Sequence, residues 1–177
     1  MSTITRTELD RALGTGRLEP LYLLVGCEGY LRDVAAQHIS DVALSGTLLR
    51  EFNESPFSLL SDAAMSAIAA AEQLPMMSER RVVRIKDFAK LRDADEEVII
   101  RYLQRPADST VMIFSADDLD KRKKLTKSLL ATCTVVEFPA GPHPADRSPL
   151  YPAAEPLPKG GTCCAGGFPA TALESSG

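Results

Sequence analysis

Tryptophan is absent, histidine occurs only twice, and cysteine four times. No apolar run approaches the roughly 18 residues that would span a bilayer. Each scarcity removes a class of chemistry. His38 lies in a stretch of helical character and His143 in a Pro/Gly-rich tail, so a Ser-His-Asp or Cys-His arrangement would have His38 alone as its base. In the middle of AAQHISDV, that imidazole reads as a packed or part-exposed helix residue. Cys27, Cys133, Cys163 and Cys164 fall at no zinc spacing, and the adjacent pair is ill placed to fill two corners of one tetrahedral site. They read as reduced thiols without a metal. A net charge of −4 argues against nucleic-acid binding over the whole surface and leaves room only for a local basic patch. The N-terminal MSTITRTELDRAL lacks a basic segment followed by an apolar one. The expectation is a soluble, cytoplasmic protein with no membrane association.

What is present divides in two. Residues 1–138 hold 4 Pro and 5 Gly, whereas residues 139–177 hold 8 Pro and 6 Gly in 39 positions. The tail shows no apolar period of 2 or 3.6, so burial cannot repay the entropy of ordering it. It is expected to be disordered or loosely attached. The first part, long enough to bury a core unaided, alternates short apolar segments with segments of helical length. Strands are expected at LYLLV (21–25), LLREFN (48–53), RVVRIK (81–86), TVMIFS (110–115) and TVVEF (134–138). Helices are expected near 29–44, 57–73, 92–105 and 119–131, with Asp120 capping the last. This alternation implies right-handed βαβ crossovers and a three-layer α/β domain with a mainly parallel sheet of about five strands.

In such a sheet, ligands sit beyond the carboxyl ends of the strands. The stretch LYLLVGCEGYLRDVA runs a strand through a glycine turn into a helix, as a phosphate loop does. Its chemistry is missing: the turn has only Gly26 and Gly29, and Tyr30 and Leu31 stand about where a Lys and a Ser or Thr would be needed. Asp87, after the third strand, occupies the place of a Mg²⁺-binding acid, but a lone Asp there reads better as a cap or turn residue. Cys27 is open to two readings, a thiol made reactive by a helix N-terminus or a small residue buried in a tight turn.

Two surface features remain. Pro75 in EQLPMMSERR ends a helix, so Met76 and Met77 occupy a connection followed at once by Ser78, Glu79, Arg80 and Arg81. Two flexible apolar side chains there are either a knob for another protein's groove or packing beneath the sheet edge. The run Lys121, Arg122, Lys123, Lys124 reads as a solvated helix start, offset by Asp117, Asp118 and Asp120. It is also a candidate contact for DNA phosphates or an acidic partner.

Taken in order and at these spacings, LYLLVGCEGYL, LPMMSERRVVRIKDF, STVMIFSADDLDKRKKLTKSL and TVVEF resemble the N-terminal domain of the delta subunits of bacterial DNA polymerase III. The resemblance covers about residues 18–138. It implies a P-loop NTPase/AAA+ type of fold with a degenerate phosphate loop and no cofactor. It also implies a clamp-loader subunit that binds and helps open the sliding clamp without hydrolysing ATP. By the same resemblance, Met76 and Met77 insert into a hydrophobic pocket of the clamp, with Leu74 and Pro75 shaping the approach and Arg80 beside them. The implied partners are the clamp (beta subunit) and the gamma/tau and delta prime loader subunits, with DNA met mainly indirectly. The family continues into a helical domain and a collar, and the change of character at Pro139 carries the expectation of a truncated or frame-shifted product. The rival reading from another class is a small nucleotide-binding enzyme with an atypical phosphate loop.

Overall fold

The computed structural model describes residues 3–47 and 49–139. The expectation of a loosely attached tail therefore lies, from residue 140 on, outside the described residues. Six strands form one sheet: β1 (Thr3–Ile4), β2 (Leu21–Val25), β3 (Glu54–Ser58), β4 (Arg81–Lys86), β5 (Thr110–Ala116) and β6 (Thr134–Glu137). Their order is β1-β6-β2-β5-β4-β3, and every neighbouring pair is parallel. Side chains alternate across the sheet because successive residues of a strand point to opposite faces. Leu21, Leu23, Val83, Ile85, Met112 and Phe114 therefore join one core, while Tyr22, Leu24, Val82, Val111 and Ile113 join the other.

Helices cover both faces. On the first lie α4 (Ala64–Ala71), α5 (Glu96–Gln104) and α6 (Lys124–Thr132); on the second lie α1 (Arg6–Gly14) and α2 (Gly29–Ala43). Ile99, Tyr102 and Leu103 of α5 and Leu125 and Leu129 of α6 face the sheet, spaced by the helical repeat. This is the expected three-layer α/β sandwich, with six strands in place of five.

Three expectations are corrected. Residues 50–53 form not a strand but one helical turn, α3 (Arg50–Asn53), which runs directly into β3. An edge strand bonds on one side only, so it tolerates Pro56 and needs no run of Val and Ile. The helix expected over 57–73 begins at Ala64, because Phe57 and Ser58 belong to that edge strand. Finally, Asp120 does not cap α6, whose N-cap is Lys123. Asp120 instead shapes the preceding turn, its Oδ1 accepting from the Arg122 N–H at 2.9 Å and its carbonyl from the Lys123 N–H at 3.1 Å.

Among the described residues no helix is long and apolar enough to cross a membrane.

Candidate functional site

The crevice beyond the carboxyl ends of β2, β4 and β5 is already occupied by the protein's own groups. Arg32, in the first half of α2, is 8% exposed; its guanidinium pairs with Asp117 and donates to Ser115 Oγ at 3.4 Å. The space left among Arg32, Asp33, Lys86, Asp87, Lys90 and Asp117 is about 90 Å³, against roughly 300 Å³ or more for a small-molecule site. Its charge is neutralised from within, for Lys86 Nζ also meets Asp33 at 2.9 Å. Gly26 has φ +143°, and the Phe138 backbone lies against it. Where a phosphate loop would fold around an anion, this chain places an arginine–aspartate pair and its own backbone.

That pair is asymmetric: the Arg32 side chain is 9% exposed and the Asp117 side chain 79%. Asp117→Ala would strand a buried guanidinium whose Nε already lacks a partner among the described residues. It is expected to lower unfolding stability by about 1–3 kcal/mol. Arg32→Met keeps the bulk and leaves Asp117 in water, and should cost less than about 1 kcal/mol. Urea unfolding of both variants checks the order.

The remaining catalytic candidates are kept apart. His38 Nδ1 lies 3.3 Å from Asp10 Oδ1 on the outer side of α2. Cys27 is exposed on the turn, not buried in it, which corrects the packed-turn reading. Asp87 has φ 56° and accepts from Ser58 Oγ at 2.6 Å, ahead of a 3-10 turn over Phe88–Lys90. Among the described residues, no group of three or more His, Cys, Asp or Glu is arranged to hold a metal. Cys133 closes α6 in the core, where burial pushes its thiol up to about 12. At pH 8 it is neutral, so iodoacetamide is expected to spare Cys133 in the native protein and to modify it after unfolding. Peptide mass mapping reads the difference.

The connection between α4 and β4 has the opposite character. α4 ends at Ala71, four residues ahead of Pro75. Beyond it Leu74 is 82% exposed, Met76 50% and Met77 87%. Packing beneath the sheet edge, one of the two readings of the pair, is therefore not what these side chains do. The backbone under them is nonetheless fixed: Asn53 Oδ1 accepts from the Met76 N–H at 2.7 Å, and Asn53 Nδ2 donates to the Met76 carbonyl at 2.8 Å. Ser78 Oγ meets Thr47 Oγ1 at 2.8 Å and the Arg80 carbonyl at 3.0 Å. Arg80 is half-buried and, with Met77, Ser78 and Glu79, borders an open groove of about 640 Å³ that reaches Gly46 and Thr47. Arg81 is buried and donates to the Phe52 carbonyl at 3.0 Å, tying α3 to β4.

The basic run is split. Lys123 Nζ contacts Asp93 at 2.7 Å and Glu96 at 2.8 Å, and these two carboxylates hold its ammonium above the usual lysine range. Lys121, Arg122 and Lys124 are exposed, the first two on the turn before α6 and the third at its start.

The family model described as DNA polymerase III, delta subunit, matches residues 22–139. This chain belongs to that family. It is 36% identical over 129 residues to the DNA polymerase III subunit delta of Bacillus subtilis (strain 168), covering 67% of this chain and 37% of the relative. The solved structure of the Bacillus subtilis DNA clamp loader delta protein superposes with a TM-score of 0.68 at 33% identity, over 75% of this chain and 42% of that one. A DNA polymerase III gamma subunit-related protein from Thermotoga maritima shares the fold, with a TM-score of 0.56 at 8% identity over 73% and 45% of the two chains. The delta-family chain thus spans about two-fifths of the length of the relatives it matches.

Within the delta-family match lie both the closed crevice and the exposed connection. Two residues that organise them are not apparent in the sequence. Arg32 pairs with a carboxylate 85 positions away, and Asn53 reads a backbone 23 positions away.

Proposed function

We propose that this chain grips the sliding clamp through Leu74, Pro75, Met76 and Met77, with Arg80 alongside, as the N-terminal part of a clamp-loader delta subunit that does not itself hydrolyse ATP. The observation that carries the reading is the exposure of Leu74, Met76 and Met77 on a loop whose backbone is tied down. A soluble domain gains nothing for its own stability from three large apolar side chains in water; their burial in a partner's groove stabilises the complex. With Met76 already half-buried, the gain left to the two Met side chains is roughly 2–4 kcal/mol before ordering costs.

Binding of this kind opens a ring only if it favours the open or relaxed clamp over the closed one. Release is then timed by ATP hydrolysis in gamma/tau subunits, and assembly with these and with delta prime belongs to the same proposal, as does a cytoplasmic location. DNA is met mainly through the clamp, with Lys121, Arg122 and Lys124 as the candidate direct contacts.

The test is a pair of titrations on the 177-residue chain, one with the bacterial sliding clamp and one with ATP. Saturable clamp binding without nucleotide binding is the expected outcome. Micromolar ATP affinity without clamp binding would instead favour the small nucleotide-binding enzyme, which must first displace the Arg32–Asp117 pair.

A further inference from the structure

The Leu74–Met77 connection departs from an ordinary surface loop in one respect: it is held from below by a side chain whose hydrogen bonds to it go to backbone groups. Asn53 is 0% exposed. Its carboxamide accepts from the Met76 N–H and donates to the Met76 carbonyl, and its amide nitrogen also donates to the Leu49 carbonyl at 2.9 Å. An asparagine offers two donors and two acceptor sites. This one spends them as a neighbouring β-strand would, binding both polar groups of one residue, so it specifies a backbone conformation whatever side chain stands there.

The next residue, Met77, has φ 50°, the left-handed region that costs an L-residue with a Cβ roughly 1 kcal/mol or more. The loop is held on both sides of that position, by Asn53 before it and by Ser78 with Thr47 after it. Asn53 is itself anchored, since α3 leads straight into β3 and Arg81 binds the carbonyl of the preceding Phe52. A strained residue that is 87% exposed contributes no packing to the core. Fixed backbone beneath exposed side chains is what lowers the ordering cost of an interface.

We infer that Asn53 is the positioning residue of this loop: its buried carboxamide fixes the Met76 backbone so that Met76 and Met77 meet the clamp in one preset conformation. The inference rests on the clamp-gripping reading and adds to it the residue that sets the loop's shape.

The experiment compares the unaltered 177-residue chain with Asn53→Ala and, separately, Met76→Ala/Met77→Ala. It measures clamp affinity and the amide hydrogen exchange of Met76, Val83 and Ile113. For Asn53→Ala the expected result is a roughly tenfold weaker Kd, from the loop-ordering cost now met on binding. Exchange at Met76 should quicken while Val83 and Ile113 in the sheet keep their protection. If both affinity and Met76 exchange stay unchanged, the positioning role is overturned. Exchange that quickens equally in the sheet overturns it as well, because Asn53 is then part of the general framework. Should Asn53→Ala not fold, Asn53→Asp is read in the same way, since it keeps an acceptor for the Met76 N–H and loses both donated bonds. Unchanged clamp binding by Met76→Ala/Met77→Ala overturns the assignment of the grip to this loop, and the positioning role with it. Binding lost there but retained in Asn53→Ala overturns the positioning role alone.

Discussion

Gly26→Ala is expected to destabilise the domain by about 3 kcal/mol or more, which for a domain of this size lowers Tm by roughly 10 °C. A Cβ at Gly26 would stand 1.9 Å from the Phe138 carbonyl oxygen, 2.5 Å from its carbonyl carbon and 2.9 Å from its Cα. These are backbone atoms, and the Phe138 N–H is held by the Val25 carbonyl at 2.7 Å while its ring lies in the core. Nothing nearby is a flexible side-chain end that can swing aside. The backbone angle adds a second penalty, because φ +143° suits glycine and almost no other residue. Gly46→Ala separates the two causes: its φ is +80°, yet nothing lies within 4 Å of the added Cβ, so a loss of only about 1 kcal/mol is expected. Thermal unfolding followed by circular dichroism reads both variants. A Gly26→Ala domain that melts within about 3 °C of the unaltered one would mean that the Phe138 segment is not seated on the first turn.

The same turn shows where sequence reasoning reached and where it stopped. The missing lysine and hydroxyl are visible in VGCEGYL, because a phosphate loop needs particular residue types at fixed positions. What replaces them is not visible. The partners of Arg32 and Gly26 come from beyond β5 and β6, and only the closed sheet brings them together.

Strands followed a similar division. LYLLV and TVMIFS are legible because burial on both faces selects continuous apolar runs, and RVVRIK and TVVEF because Val, Ile and Phe cluster between polar flanks. The edge strand ESPFS is not, being half-buried and carrying Pro56. Helix α1 was missed although its signal is local. Thr5 and Glu8 form a reciprocal capping box, with Glu8 Oε2 2.7 Å from the Thr5 N–H and Thr5 Oγ1 3.3 Å from the Glu8 N–H, and T-x-x-E spells it in the sequence. The Met pair could be singled out by its place after Pro75. Whether it faced the core or the solvent depended on Asn53 and Met77 φ, and neither has a local signature.

Met76→Ala/Met77→Ala is expected to weaken clamp binding by about 1–3 kcal/mol, roughly 5- to 150-fold in Kd, while unfolding stability falls by no more than about 1 kcal/mol. The two halves of this prediction have separate causes. Stability changes little because Met77 is 87% exposed, and only the buried half of Met76 is area that truncation takes from the fold. The Asn53 bonds survive as well, since they reach only the Met76 N–H and carbonyl. Affinity is lost because each thioether chain would contribute roughly 1.5–3 kcal/mol on full burial in a partner's groove, and Ala retains only part of that. The loss should appear mainly in the off-rate, since apolar contacts form after encounter and charge steers it. Arg80→Ala is the contrasting variant, expected to change affinity by less than about tenfold as a polar neighbour of the contact. Isothermal titration gives the affinities and urea unfolding the stabilities. A double variant that loses several kcal/mol of stability would place the methionines in the framework of the fold. One that keeps both stability and affinity would move the clamp contact to another part of the surface.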